Sequence, residues 1–148
     1  MKITICSSAF FTKETYKIKE KLKERGHEVF VYPQEIEVNG KTIRITDYYK
    51  MRKENLTNDL LKIKTKLIEE HIKRIENSDA ILVLNFDKDG IEGYIGGNTF
   101  LEAGIAYYLT KKIFIWKKPS KDLYYFEEIM ALNPIIINED LGKIEQSI

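Results

Sequence analysis

The chain has 148 residues, 43% of them hydrophobic, with 24 basic and 23 acidic side chains and a net charge of +1. That length fits one domain, residues 1–148, with enough apolar content for a core that needs neither disulfides nor a metal. The near-neutral balance excludes a global electrostatic pull toward nucleic acid, and no apolar run is long enough to cross a bilayer, so neither partner is expected. A single cysteine, Cys6, excludes an internal disulfide, and with no signal-like leader it points to a reducing, cytoplasmic setting.

The run KITIC reads as a first strand. Ser7 and Ser8 follow it, then a helix with Ile18 and Leu22 on one face. Cys6 ends the strand and reads as a small packed hydrophobe. Lys17, Lys19, Lys21 and Lys23 form a solvated face of the helix, which Gly26 closes. His27 stands in the turn before a second strand, EVFVYP, which stops at Pro33. From Gln34 to Asp47 the pattern weakens. Asn39-Gly40 is a turn signal between IEV and TIRI, which reads as a small hairpin or a mobile flap. A helical stretch from about Asp47 to Glu76 carries Leu60, Ile63, Leu67, Ile68, Ile72 and Ile75 as a buried stripe, with a break near Asn55 to Asn58. His71 falls on this charged helix and reads as solvated. With His27 far away in a different segment, no metal-ligand spacing emerges.

ILVLNF is a continuous apolar run suited to a strand covered on both faces, the centre of a parallel sheet. A loop rich in glycine and acid runs from Asp87 to Gly97, a helix spans Asn98 to about Thr110, and IFIW is the next strand. Lys121 to Leu132 reads as a short helix, PIIIN as a last strand, and Leu141 to Ile148 as a terminal helical turn or two. Strands alternating with helices imply an α/β fold, a flavodoxin-like or Rossmann-like three-layer sandwich on a roughly five-stranded parallel sheet. In such a sheet the ligand lies at the strands' carboxyl ends, where the loops after KITIC, ILVLNF and IFIW converge.

Beside the second of those loops stands GGNTFLEAGIA, Gly96 to Ala106, a glycine turn leading into an apolar helix that carries one carboxylate, Glu102. Asn98 or Thr99 can cap this helix, and its first-turn N–H groups favour an anion. A carboxylate held among Phe100, Leu101, Ala103, Ile105 and Ala106 is either a tuned acid or a positioned nucleophile, or else an ordinary helix-surface glutamate.

The segments CSSAFF, NSDAILVLN and GNTFLEAGIAYYLTKKIFIW together resemble the nucleoside 2-deoxyribosyltransferase superfamily, which includes nucleotide N-hydrolases. The resemblance is strongest from Asn77 to Trp116. It implies that Glu102 attacks the anomeric carbon of a nucleoside and displaces the base as a glycosyl-enzyme ester, which water or a second base resolves. It implies Asp87 or Asp89 as the acid that protonates the departing base. Asn85 would hold base or sugar, Ser7, Ser8, Gly97, Asn98 and Thr99 hydroxyls or a 5'-phosphate, and Phe10 and Tyr94 would line the pocket, Tyr94 stacking on a base. The family's usual strand-end aspartate is replaced here by Asn85, and its acid before the glycine turn by Tyr94-Ile95. The expected partner is a small nucleoside or nucleotide, with no cofactor and no metal. A homo-oligomer is expected from the apolar spacing of the long helical segment and from family habit. A non-catalytic nucleotide-binding or signalling module is the competing reading. An electron carrier fits less well, because the first loop lacks residues to wrap a flavin phosphate.

Overall fold

The computed structural model describes residues 1–148. In chain order, β1 (Lys2–Cys6), α1 (Thr12–Glu24) and β2 (Glu28–Phe30) form the first unit, followed by a hairpin of β3 (Glu35–Val38) and β4 (Lys41–Arg44). Two helices follow, α2 (Ile45–Glu54) and α3 (Asn58–Glu76), and then β5 (Ala80–Val83), α4 (Gly97–Tyr108) and β6 (Lys112–Ile115). The chain ends with α5 (Phe126–Ala131), β7 (Ile135–Ile136) and α6 (Gly142–Glu145).

Five strands form one sheet in the order β2-β1-β5-β6-β7, every pair parallel, as expected for a flavodoxin-like sandwich. The apolar run of β5 occupies the middle, and all four of its residues are buried because helices cover both faces. Alternation along β1 divides the core. Ile3 and Ile5 face a cluster with Ile18 and Leu22 of α1 and Ile144 of α6, while Cys6 faces the opposite cluster with Ile75 of α3, Ala103 of α4 and Ile129 of α5. The connections run outward in opposite directions from β1 and β5. Their carboxyl ends therefore leave a crevice between them, the place where an open parallel sheet binds ligands.

Edge strands are shorter than the sequence suggests. Only Glu28–Phe30 of EVFVYP and Ile135–Ile136 of PIIIN are strand, since each has a neighbour on one side alone. Of the helix expected over Lys121 to Leu132, only Phe126–Ala131 is α-helical. The long helical stretch breaks where expected: Asn55 is extended, and the Thr57 side chain caps α3 by accepting from the Leu60 N–H at 3.2 Å, worth about 1 kcal/mol.

Within the segment from Gln34 to Asp47, β3 and β4 form a packed hairpin, and α2 begins at Ile45. Asn39 and Gly40 both have positive φ, 52° and 76°, the pair a two-residue turn of this hand requires. Val38 is buried in a third cluster with Ile45, Tyr48 and Leu60, against which Ile36 and Ile43 also pack. The Tyr48 hydroxyl donates to the Leu60 carbonyl at 2.7 Å and pins α2 to the start of α3. These two helices and the hairpin form a wall beside the crevice. At the opposite side of the molecule His27 is buried, its Nε2 3.0 Å from the Glu145 carboxylate that also accepts from Arg25, so that α6 is fastened to the α1–β2 turn.

Candidate active site

The main cleft opens at the carboxyl ends of β1 and β5. Ser7 and Ser8 enter it directly after β1, and Gly96 to Thr99 with Glu102 form the side belonging to α4. The facing wall comes from α2 and α3, through Tyr48, Tyr49, Arg52, Lys53, Lys64 and His71, and Lys88 and Tyr94 come from the loop after β5.

Glu102 is buried, with 6% of its surface exposed, and it is the one carboxylate in the cleft lining. Asn98, one turn earlier on α4, donates from Nδ2 to Glu102 Oε1 at 2.9 Å and fixes the carboxyl group. His71 Nε2 lies 3.8 Å from the same oxygen, and Cys6 Sγ lies 3.7 Å from that nitrogen. Burial pushes the Glu102 carboxyl up to about 8, against the opposing pull of the Cys6 thiol, the Lys64 ammonium and the Asn98 amide. Burial also pushes the His71 imidazole down to about 4, helped by repulsion from Arg74. At pH 7 the free protein therefore sets a protonated carboxyl beside a neutral imidazole.

Linkage gives this a measurable consequence. Because the folded state raises the Glu102 pKa, its contribution to stability is full below pH 4.5 and is lost as pH rises to about 8. His71 runs the other way: its contribution is present above pH 6.5 and is lost as pH falls to about 4. Glu102→Gln removes the first effect only. Its melting temperature, relative to the parent protein at the same pH, is expected to climb by about 5–10 °C between pH 5 and pH 9. A difference that stays constant across that range would mean that Glu102 ionises as freely as an exposed carboxylate.

The facing wall is cationic. Arg52, Lys53 and Lys64 line it, Lys88 joins them from the loop after β5, and Glu102 is the one carboxylate in the lining, so an anionic ligand is favoured. The Arg52 guanidinium lies over the rings of Tyr48 and Tyr49, 4.9 and 5.5 Å from their centroids, and its buried Nε has no hydrogen-bond partner. Lys64 has its pKa lowered by burial and then by repulsion from Arg52. Burial raises the Tyr49 phenol, but the Lys88 ammonium, 2.8 Å from its oxygen, and Lys53 outweigh that and leave it lowered. Like charges crowded in this way are held together at a cost that a bound anion would relieve.

No family model matches the chain, and no curated protein matches it by sequence. Solved structures do match. A 2-deoxyribosyltransferase from the psychrotolerant bacterium Bacillus psychrosaccharolyticus superposes with a TM-score of 0.59 at 19% identity, over 98% of this chain and 90% of that one. The CMP N-glycosidase BcmB of Clostridium botulinum superposes with a TM-score of 0.52 at 17% identity, over 99% of both chains. The chain has the nucleoside 2-deoxyribosyltransferase fold.

Within that fold the cleft lining brings together Glu102, Ser7, Ser8, Tyr94, Gly97, Asn98 and Thr99. Neither Asn98 nor Thr99 caps α4, however: the N-cap is Gly96, and the Asn98 amide is engaged with Glu102 instead. Four expected residues lie outside the lining. Asp87 is exposed, ion-paired with Lys117 and accepting from the Gly93 N–H at 2.8 Å, an arrangement that holds its carboxyl below the usual range. Asp89 is exposed in a turn with φ 52°, and Phe10 is 56% exposed beneath the Lys88 ammonium.

Asn85 is fully buried, but its amide joins two loops. It donates to the Lys117 carbonyl at 2.7 Å and to the Gly93 carbonyl at 3.3 Å, and it accepts from the Lys117 N–H at 3.0 Å. Gly93 completes this clamp at φ 60°, where a Cβ would meet the Lys118 carbonyl oxygen at 2.7 Å. Gly93→Ala is expected to cost about 2–4 kcal/mol of stability in denaturant unfolding, from backbone strain and the clash together. A loss within 0.5 kcal/mol would show that the loop relaxes without cost.

Cys6 is packed as expected, whereas His71 is buried and not solvated, and Arg52, Lys53, Lys64 and Lys88 carry no site signal as single residues in the sequence. A signal for some of them exists: Leu60, Lys64, Leu67, His71 and Ile75 follow each other at helical spacing, which puts Lys64 and His71 on the stripe that faces inward.

Proposed function

We propose that this protein cleaves or transfers at the N-glycosidic bond of a nucleoside monophosphate, with Glu102 as the nucleophile. The observation that carries the reading is a single buried carboxylate at the β1/β5 crevice, fixed by Asn98 and opposed by four cations. Two solved structures that share this fold are of enzymes named for deoxyribosyl transfer and for CMP N-glycoside cleavage, and they support a reaction of that class.

Glu102, ionised, attacks the anomeric carbon, and the carbon–nitrogen bond electrons leave with the base, which takes up a proton from solvent. Water or a second base then attacks the same carbon and releases Glu102. The transition state carries oxocarbenium character that a fixed carboxylate stabilises, while the cationic wall holds the phosphate away from the reacting carbon. Remote binding of this kind orients the sugar.

The test is chromatographic. With ribo- and deoxyribonucleosides and their 5'-monophosphates offered as a panel, free base is expected from at least one monophosphate, faster than from its nucleoside. Absence of base from every member would sink the reading.

A second reading, a nucleotide-binding module without turnover, draws on the fact that Glu102 is the one carboxylate lining the cleft, with Asp87 and Asp89 outside it. It predicts that a monophosphate raises the melting temperature and that no base is ever released.

A further inference from the structure

We propose that Cys6, His71 and Glu102 form a binding site for a thiophilic divalent cation, Zn²⁺ by its donor set, and that filling this site switches the nucleophile off. The binding half stands on geometry alone. The switching half rests on the function proposed above.

All three residues are buried, and their sulfur, nitrogen and oxygen atoms lie within 4.8 Å of one another. Zinc bonds of about 2.3 Å to sulfur and about 2.0–2.1 Å to nitrogen and oxygen, at the tetrahedral angle, put S and N about 3.6 Å apart and N and O about 3.4 Å apart. The protein holds Cys6 Sγ 3.7 Å and Glu102 Oε1 3.8 Å from His71 Nε2. The two His71 separations need shifts of only a few tenths of an ångström, and the Cys6–Glu102 pair, within 4.8 Å, closes to about 3.6 Å as the side chains turn onto one ion.

The three donors come from different elements, the end of β1, the inward face of α3 and the second turn of α4, so the sheet and two packed helices hold them in place. His71 and Glu102 line the cleft, which gives the ion its way in, with Cys6 behind them, and the fourth tetrahedral position is left to water.

Charge and softness decide which ion. Binding expels the Cys6 thiol proton, and any proton on Glu102, to solvent. Thiolate, carboxylate and neutral imidazole then balance a dication, so the buried complex carries no net charge. Mg²⁺ or Ca²⁺ would find a single carboxylate and no further charged oxygen in the lining, whereas a thiolate and an imidazole suit Zn²⁺. Lys64 beside Glu102 and Arg74 beside His71 oppose any free cation, which leaves the thiolate as the main source of affinity. A Glu102 oxygen bound to the metal cannot attack the sugar.

The full-length protein, stripped with EDTA and freed of chelator, is titrated with Zn²⁺ by calorimetry and with Co²⁺ by absorbance. One ion per chain and a near-ultraviolet sulfur-to-cobalt charge-transfer band are expected. Cys6→Ser should lose the band, and His71→Gln should weaken Zn²⁺ at least about tenfold, no less than altering a ligand's own hydrogen bond costs. Melting transitions in EDTA confirm that each variant is folded, and Cys6→Ala replaces Cys6→Ser if that variant is not. No stoichiometric uptake by the parent protein, or equal uptake by the variants, would overturn the site. In the base-release assay Zn²⁺ should inhibit and EDTA restore the rate. Binding without inhibition of an active preparation would overturn the switch, and a protein inactive on every nucleotide still decides the site through the calorimetry and the cobalt band.

Discussion

Glu102→Gln is expected to abolish base release, lowering kcat/KM by at least about 10³-fold, while the protein folds and melts higher than its parent at alkaline pH. The amide keeps the shape of the side chain and can still accept from Asn98 at the position of Oε1, so the cleft is preserved. What it lacks is the charge that bonds to the anomeric carbon. The parent protein should in turn gain kcat/KM as pH rises toward about 8, because the nucleophile must be ionised and burial holds it protonated below that point. The variant removes both the rate and its pH limb. Activity of Glu102→Gln within tenfold of the parent would mean that another group attacks the sugar. A flat pH profile between 6 and 9 in the parent would mean that bound substrate or its own phosphate sets the ionisation.

The parts of the fold that were legible in the sequence are those whose residues serve one purpose. KITIC, ILVLNF and IFIW are apolar because they are covered on both faces, and they became β1, β5 and β6. Glu102 stood out because a charge among Leu101, Ala103 and Ala106 needs a reason to be there. The cationic wall was not legible, since lysines and arginines on a helix usually face water, and only the position of Lys64 and His71 on the buried stripe hinted otherwise. The placement of Asn85 and Asp87 is illegible for a different reason. A polar residue at the end of a central strand can touch a ligand or hold the next loop, and the choice depends on where Gly93 and Lys117 come to rest. Pairings 6 to 32 residues apart in loops leave no periodic trace.

Arg52→Gln is expected to raise KM for a nucleoside monophosphate by about 10–100-fold, the worth of one charge-assisted hydrogen bond, while KM for the matching nucleoside changes by no more than a few-fold. The guanidinium is already placed. It is packed over Tyr48 and Tyr49, and its Nε is buried with no partner, so a phosphate oxygen would satisfy a donor that the free protein leaves unused. Arg52→Lys should not rescue the defect, because an ammonium neither stacks on the two rings nor donates in a planar fork. Adding Lys64→Gln should deepen the loss and also lift the Glu102 pKa, since Lys64 is one of the groups that pull it down; kcat/KM at pH 7 would then fall for nucleoside and monophosphate alike. The two substitutions are thus separable by substrate and by pH. Removing Arg52 relieves its repulsion of Lys64 but gives up its packing over Tyr48 and Tyr49, so the free variant should melt within a few degrees of the parent. If Arg52→Gln weakens nucleoside and monophosphate equally, the wall orders the cleft without reading a phosphate, and the anion it was built for is not the one on the sugar.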